Sequence, residues 1–158
     1  MKSRAIARWA IAAIDGLGLT AGASAGATSK KAVYQGGTLA SVATPNVGSV
    51  SSLRGDRFVF RHDSGQLEIP YDQFNSLEYG QKAARRIALS IALSPLFLLS
   101  KRRRHFLTLS YVGEEVRQQA AVFELGKKIV RTLLAGLEAR TGLQIEYEDE
   151  QARRAARQ

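Results

Sequence analysis

The chain has no cysteine, two histidines, three prolines and one tryptophan in 158 residues. The missing thiols rule out disulfides, thiolate metal sites, cysteine nucleophiles and cysteine-linked lipids together. With only His62 and His105, a histidine-rich metal centre is also ruled out. Stability therefore has to come from packing, and an apolar fraction of 45% is ample for a globular core. No nucleophile elbow, phosphate loop or metal-ligand spacing occurs. Gly16-Leu17-Gly18-Leu19-Thr20-Ala21 fits a G-x-G-x-x-A pattern, but small residues follow it where a dinucleotide site needs a helix. His62-Asp63-Ser64 has the residue types of a hydrolase triad, yet sequence neighbours cannot converge as a triad does, and Asp-Ser-Gly reads as a hairpin turn. The expectation is a non-enzymatic protein with no cofactor, no metal and no small-molecule substrate.

What is abundant is positive charge. The formal net charge is +9, which favours anionic partners: acidic lipid, acidic protein or nucleic acid. Nucleic acid fits least, because the cations sit beside apolar runs, are not interleaved with stacking aromatics, and form no reader motif.

Residues 1–26 read as a leader. Lys2, Arg4 and Arg8 precede an apolar stretch from Trp9 to Leu19, which closes in small residues from Ala21 to Ala27, the order of a secretory signal. Asp15 interrupts the apolar run. Cleavage near residues 25–27 removes three cations and one anion, so the remainder stays basic at +7. The reading is export to an envelope or secreted location, with the cytoplasmic membrane surface as the alternative.

Residues 27–147 read as one domain. Period-two alternation gives strands over 33–39, 48–53, 57–61 and 67–69, with Gly36-Gly37 as a bulge and Gly55-Asp56 and Asp63-Ser64-Gly65 as turns. Residues 74–79 continue in strand-like composition, and 106–111 and 118–125 alternate again. The period then becomes 3.6, with Ile129, Val130, Leu133, Leu134 and Leu137 on one stripe and Gly142 placed to end the helix. Leu143, Ile145 and Tyr147 alternate as a short strand, and 148–158 form a polar tail expected to fray, with Asp149/Arg153 and Glu150/Arg154 spaced to pair. The fold class is α+β, mainly β: an antiparallel sandwich or open barrel of six to seven strands, capped by a C-terminal amphipathic helix, with an apolar helix inserted after the fourth strand.

Three passages carry a resemblance: Val33-Tyr34-Gln35-Gly36-Gly37-Thr38-Leu39, Leu67 to Tyr71 running into Phe74-Asn75-Ser76-Leu77, and Phe123-Glu124-Leu125-Gly126 leading to Glu138-Ala139-Arg140-Thr141-Gly142. Over residues 31–142 the chain resembles the pleckstrin-homology-like superfold, including GRAM-like domains. The resemblance implies a small barrel that binds lipid head groups or protein partners. The inserted apolar segment and the strand after the helix depart from that pattern.

The insert, residues 82–104, carries the most unusual chemistry. An apolar run from Ile87 to Leu99 is bracketed by Lys82, Arg85 and Arg86 and by Lys101, Arg102, Arg103 and Arg104. As a helix the run reaches about 20 Å, short of a bilayer core of roughly 30 Å, and Pro95 interrupts it. Such a segment can lie in a membrane interface with its seven cations on anionic head groups, face a protein partner, or pack as a lid on the domain's own core.

Overall fold

The computed structural model describes residues 31–39, 42–52, 55–88, 104–113 and 116–157, with the backbone alone for Ala83 and residues 86–88. Residues 1–26, expected from sequence to be a leader, lie outside these residues.

The described chain folds as one mainly β sheet with helices packed on it. The order is β1 (Lys31–Gly37), β2 (Asn46–Ser51), β3 (Arg57–His62), β4 (Gly65–Pro70), a 3-10 turn (Tyr71–Gln73), β5 (Phe74–Tyr79), α1 (Gln81–Ala88), β6 (His105–Val112), β7 (Gln118–Leu125), a 3-10 turn (Lys127–Ile129), α2 (Val130–Thr141), β8 (Ile145–Tyr147) and α3 (Glu150–Arg157). The spatial order is β4-β3-β2-β1-β7-β6-β5-β8. Two meanders, β1 to β4 and β5 to β7, are thus joined where β1 pairs antiparallel with β7.

The sheet corrects the expected sandwich in two respects. It is a single open sheet of eight strands, and it is mixed, because β8 runs parallel to β5. The cause is connectivity: the chain leaves α2 and returns along β5 in the same direction, pairing Leu77, Glu78 and Tyr79 with Ile145, Glu146 and Tyr147. The insert also follows the fifth strand rather than the fourth, since residues 74–79 form a full strand of their own. The expected bulge is present as a register shift between Tyr34 and Gly36.

Alternation explains the core. Tyr34, Phe58, Phe60, Leu77, Leu107, Leu109 and Phe123 share the inner face and are fully buried. Phe123 is central, with ring centroids 5.4 Å from Tyr34, 5.5 Å from Phe58 and 5.1 Å from Phe60. Helix α2 lays its apolar stripe, Val130, Leu133, Leu134 and Leu137, into this cluster. It ends at Gly142, whose φ of 72° is the left-handed cap conformation.

The tail is helical rather than frayed. The Asp149 side chain accepts the Ala152 N–H at 2.7 Å, Glu150 pairs with Arg154 at 3.7 Å, and Ala156 is buried in the core. A carboxylate at the start of the helix and a buried alanine near its end are enough to hold so short an element.

Candidate functional site

The register places both flanks of the insert at one end of the sheet. Strand β5 ends at Tyr79, β6 starts at His105, and β5 and β6 are paired neighbours. The connection over residues 80–104 therefore leaves and returns at the same edge. The ladder brings three more segments to that end. His105 pairs with Leu125 at the end of β7, and the Gly126 N–H donates to the Lys31 carbonyl at the start of β1. Tyr147, the last residue of β8, pairs with Tyr79.

Of the sequence-predicted cations, Lys82 and Arg85 are exposed on α1, and Arg104 is exposed just before β6. Arg86 belongs to α1, but its side chain lies outside the described residues, as do Lys101, Arg102 and Arg103. The fold thus brings Lys82 and Arg104, 22 positions apart in the chain, to the rim of a single cleft.

That cleft has a volume of about 290 Å³ and is lined among others by Tyr79, Lys82, Arg104, His105, Glu148 and Asp149. Each of these polar groups already has a partner in the fold. The Arg104 guanidinium pairs with Glu124 at 2.7 Å, and the same carboxylate oxygen accepts the Gln35 side-chain amide at 2.8 Å. Glu148 accepts the backbone N–H of Lys82 at 2.6 Å and lies 3.6 Å from the Lys82 ammonium. Asp149 caps α3. The Tyr79 hydroxyl meets Nδ1 of His105, and the two rings stack. Burial, and then the nearby Lys127, hold the His105 pKa below its ordinary 6.5, while Glu124 opposes the shift. Burial also raises the Tyr79 phenol, with Tyr147 adding to the effect. Both shifts favour the neutral forms, a phenol beside an uncharged imidazole.

Gly80 makes this junction possible. Its φ is +150°, and a Cβ there would sit 2.4 Å from the Cβ of Glu148. The Glu148 N–H donates to the Tyr79 carbonyl at 3.0 Å, so backbone and carboxylate together clamp the start of α1.

Helix α1 packs against β6 and β5. Its Ala84 is fully buried, yet it does not belong to the main core cluster. Phe106, Thr108 and Val122 are likewise buried outside that cluster, on the face opposite Leu107, Leu109 and Phe123. The insert therefore starts along the outside of the sheet. The inner face is packed instead by α2. Ile91, Leu98 and the rest of the apolar run lie outside the described residues, as does the Ile87 side chain.

Gln35, Tyr79, His105, Glu124, Glu148 and Lys127 were not legible as site residues. They meet only through strand register, at separations up to 89 positions. The stacked Tyr79–His105 pair had a faint signal, since each begins or ends a strand beside the insert. Among the described residues no helix is long and apolar enough to cross a membrane, and no cluster of three or more His, Cys, Asp or Glu is placed to hold a metal. Compared with protein families, curated proteins and solved structures, the chain has no match.

Proposed function

We propose that this chain is a non-enzymatic, pleckstrin-homology-like binding module that docks on an anionic membrane surface through residues 82–104. One observation carries the reading: the two basic brackets of the insert start from the same end of the sheet, with Lys82 and Arg104 on one cleft rim. The apolar run is thus flanked in sequence by cations on both sides, and the described ones nearest it, Lys82 and Arg104, lie at one end of the sheet. That arrangement suits an interfacial segment, in which each cation near an acidic leaflet contributes about 1 kcal/mol. The strand order, a meander whose first and seventh strands pair and whose following helix enters the core, supports the pleckstrin-homology-like part of the reading. The ionisable groups at the cleft each hold another part of the fold there, and this reading gives them a structural role beside the docking surface.

The test is co-sedimentation with phosphatidylcholine vesicles, with and without phosphatidylserine. Wild type is expected to pellet only with the anionic vesicles, and a variant with Lys101, Arg102 and Arg103 changed to Gln is expected to stay in the supernatant. Arg104 is left unchanged because it neutralises Glu124. Equal pelleting of the two proteins defeats the proposal.

A second reading has an observation of its own. Ala84 is fully buried against the outer face of the sheet. That burial favours an exported interaction or structural domain without lipid affinity, the apolar segment being part of the core. Absence of pelleting at any anionic fraction is the outcome that selects it.

A further inference from the structure

We infer that the anion-docking surface extends beyond the insert to the β7–α2 connection, with Lys127 and Lys128 as contact residues for acidic lipid and Lys31 beside them. The inference rests on the membrane reading above and deepens it.

The argument starts from the ladder. His105 pairs with Leu125, so the residues just before β6 and just after β7 are neighbours across the sheet end. Lys127 is close enough to act on the His105 imidazole. Gly126 is bonded to the Lys31 carbonyl, which brings the start of β1 alongside. Lys31, Lys82, Arg104, Lys127 and Lys128, from four segments of the chain, therefore share one end, with Arg85 a turn further along α1.

Lys82 and Arg104 are paired with Glu148 and Glu124, but the other described cations of this end are not so held. Arg57 is held between Asp56 at 3.0 Å and Glu68 at 2.9 Å, and Arg153 and Arg154 both face Glu150. Among the described residues Lys31, Arg85, Lys127 and Lys128 are exposed and have no ion pair. At the opposite end of the same strands Asn75 bonds Gln118 at 3.0 Å, Tyr111 bonds Gln119 at 3.1 Å, and Thr38 bonds Ala120, with Arg117 the cation of the β6–β7 turn.

Exposed cations gathered at one end, on the side from which an apolar segment starts, match a charged plane rather than a point ligand. Nucleic acid is a poorer occupant: at this end Tyr79 already stacks on His105 and meets Tyr147 edge-on, so these rings are engaged with one another. An acidic leaflet complements the charge and also accepts the apolar run.

The test uses the full chain and vesicles of phosphatidylcholine with about one-third phosphatidylserine, at low and physiological salt. The double variant Lys127→Gln/Lys128→Gln is expected to keep its fold and to partition on the order of 30-fold more weakly, with a flatter salt dependence. Arg117→Gln, in the turn at the far end of β6 and β7, is expected to stay within about twofold of wild type. If the double variant partitions like wild type while the Lys101–Arg103 variant is lost, this extension is overturned and the insert reading stands. If wild type ignores anionic vesicles altogether, both fall. A fluorescent single-stranded oligonucleotide is titrated in the same buffers, and retention tighter than that of vesicles overturns lipid as the occupant.

Discussion

Glu148 caps a helix from 66 residues away: its carboxylate accepts the Lys82 N–H at 2.6 Å, in the first turn of α1. The C-terminal segment thereby fixes where the basic helix starts. Gly80 lets Glu148 come that close, which makes the glycine and the carboxylate a coupled pair.

Substitution at this junction should be costly in a graded way. Glu148→Ala removes a helix cap and is expected to cost about 1 kcal/mol. Gly80→Ala meets both an unfavourable φ and the Glu148 side chain, and should cost about 2 kcal/mol or more. Gly55→Ala is the comparison, because its φ is +65° but nothing lies within 4 Å of the added Cβ. It should cost only about 1 kcal/mol. Urea midpoints at constant slope measure all three, and a Gly80→Ala cost no larger than that of Gly55→Ala counts against the clamp.

The aromatic centre and the β6–β7 turn should respond in opposite directions. Phe123 is fully buried among three rings, so Phe123→Ala should destabilise by about 3–5 kcal/mol. Val116 is 85% exposed and β-branched at φ 58°. Val116→Gly removes that backbone strain without uncovering the core, and should stabilise by about 1 kcal/mol. Thermal unfolding of the pair tests both signs.

Acid should weaken the fold partly through His105. Unfolded, the imidazole takes up its proton near 6.5, while in the fold burial and Lys127 keep it neutral to lower pH. The unfolded chain therefore binds the extra proton first. The contribution to stability is fully present above 6.5 and is lost as pH falls through the lower folded value. His105→Gln should flatten the dependence of the urea midpoint on pH in the range below 6.5. An unchanged slope would show that carboxylates alone set the acid limit.

Alkali acts through all five tyrosines. Burial raises Tyr34 to about 12, and raises Tyr71, Tyr79, Tyr111 and Tyr147 from the ordinary 10.0. The fold favours the neutral phenols, so their contribution is present below 10 and is lost as pH rises above it. Ultraviolet titration should show little tyrosinate at pH 10, then a steep rise coincident with loss of the near-ultraviolet dichroism. A gradual single-site curve centred on 10 contradicts the burial.

Local pattern made much of the fold readable. Phe58 and Phe60 alternate with Arg57, Val59 and Arg61, and they do face the core. The Leu133–Leu134–Leu137 stripe and the Gly142 cap also lie where periodicity puts them. What was hidden is long-range pairing. Nothing in Ile145-Glu146-Tyr147 says that it lies parallel to β5, and the tail reads as polar because it meets the core through small alanines, Ala152 and Ala156. The candidate site divides the same way. Its cations stand out in sequence as a basic-apolar-basic run, whereas Glu124, Gln35 and Glu148 are ordinary polar residues until the register brings them to Arg104 and Lys82.

The long reach of Glu148 also sets an order of events during synthesis. A chain emerging from the ribosome exposes Lys82 and the start of the insert well before Glu148 has been added, and until then β5 lacks β8 on its outer edge. For that interval the basic helix has no acceptor for its first turn. The start of α1 is therefore fixed late, waiting on the strand that closes the sheet's edge.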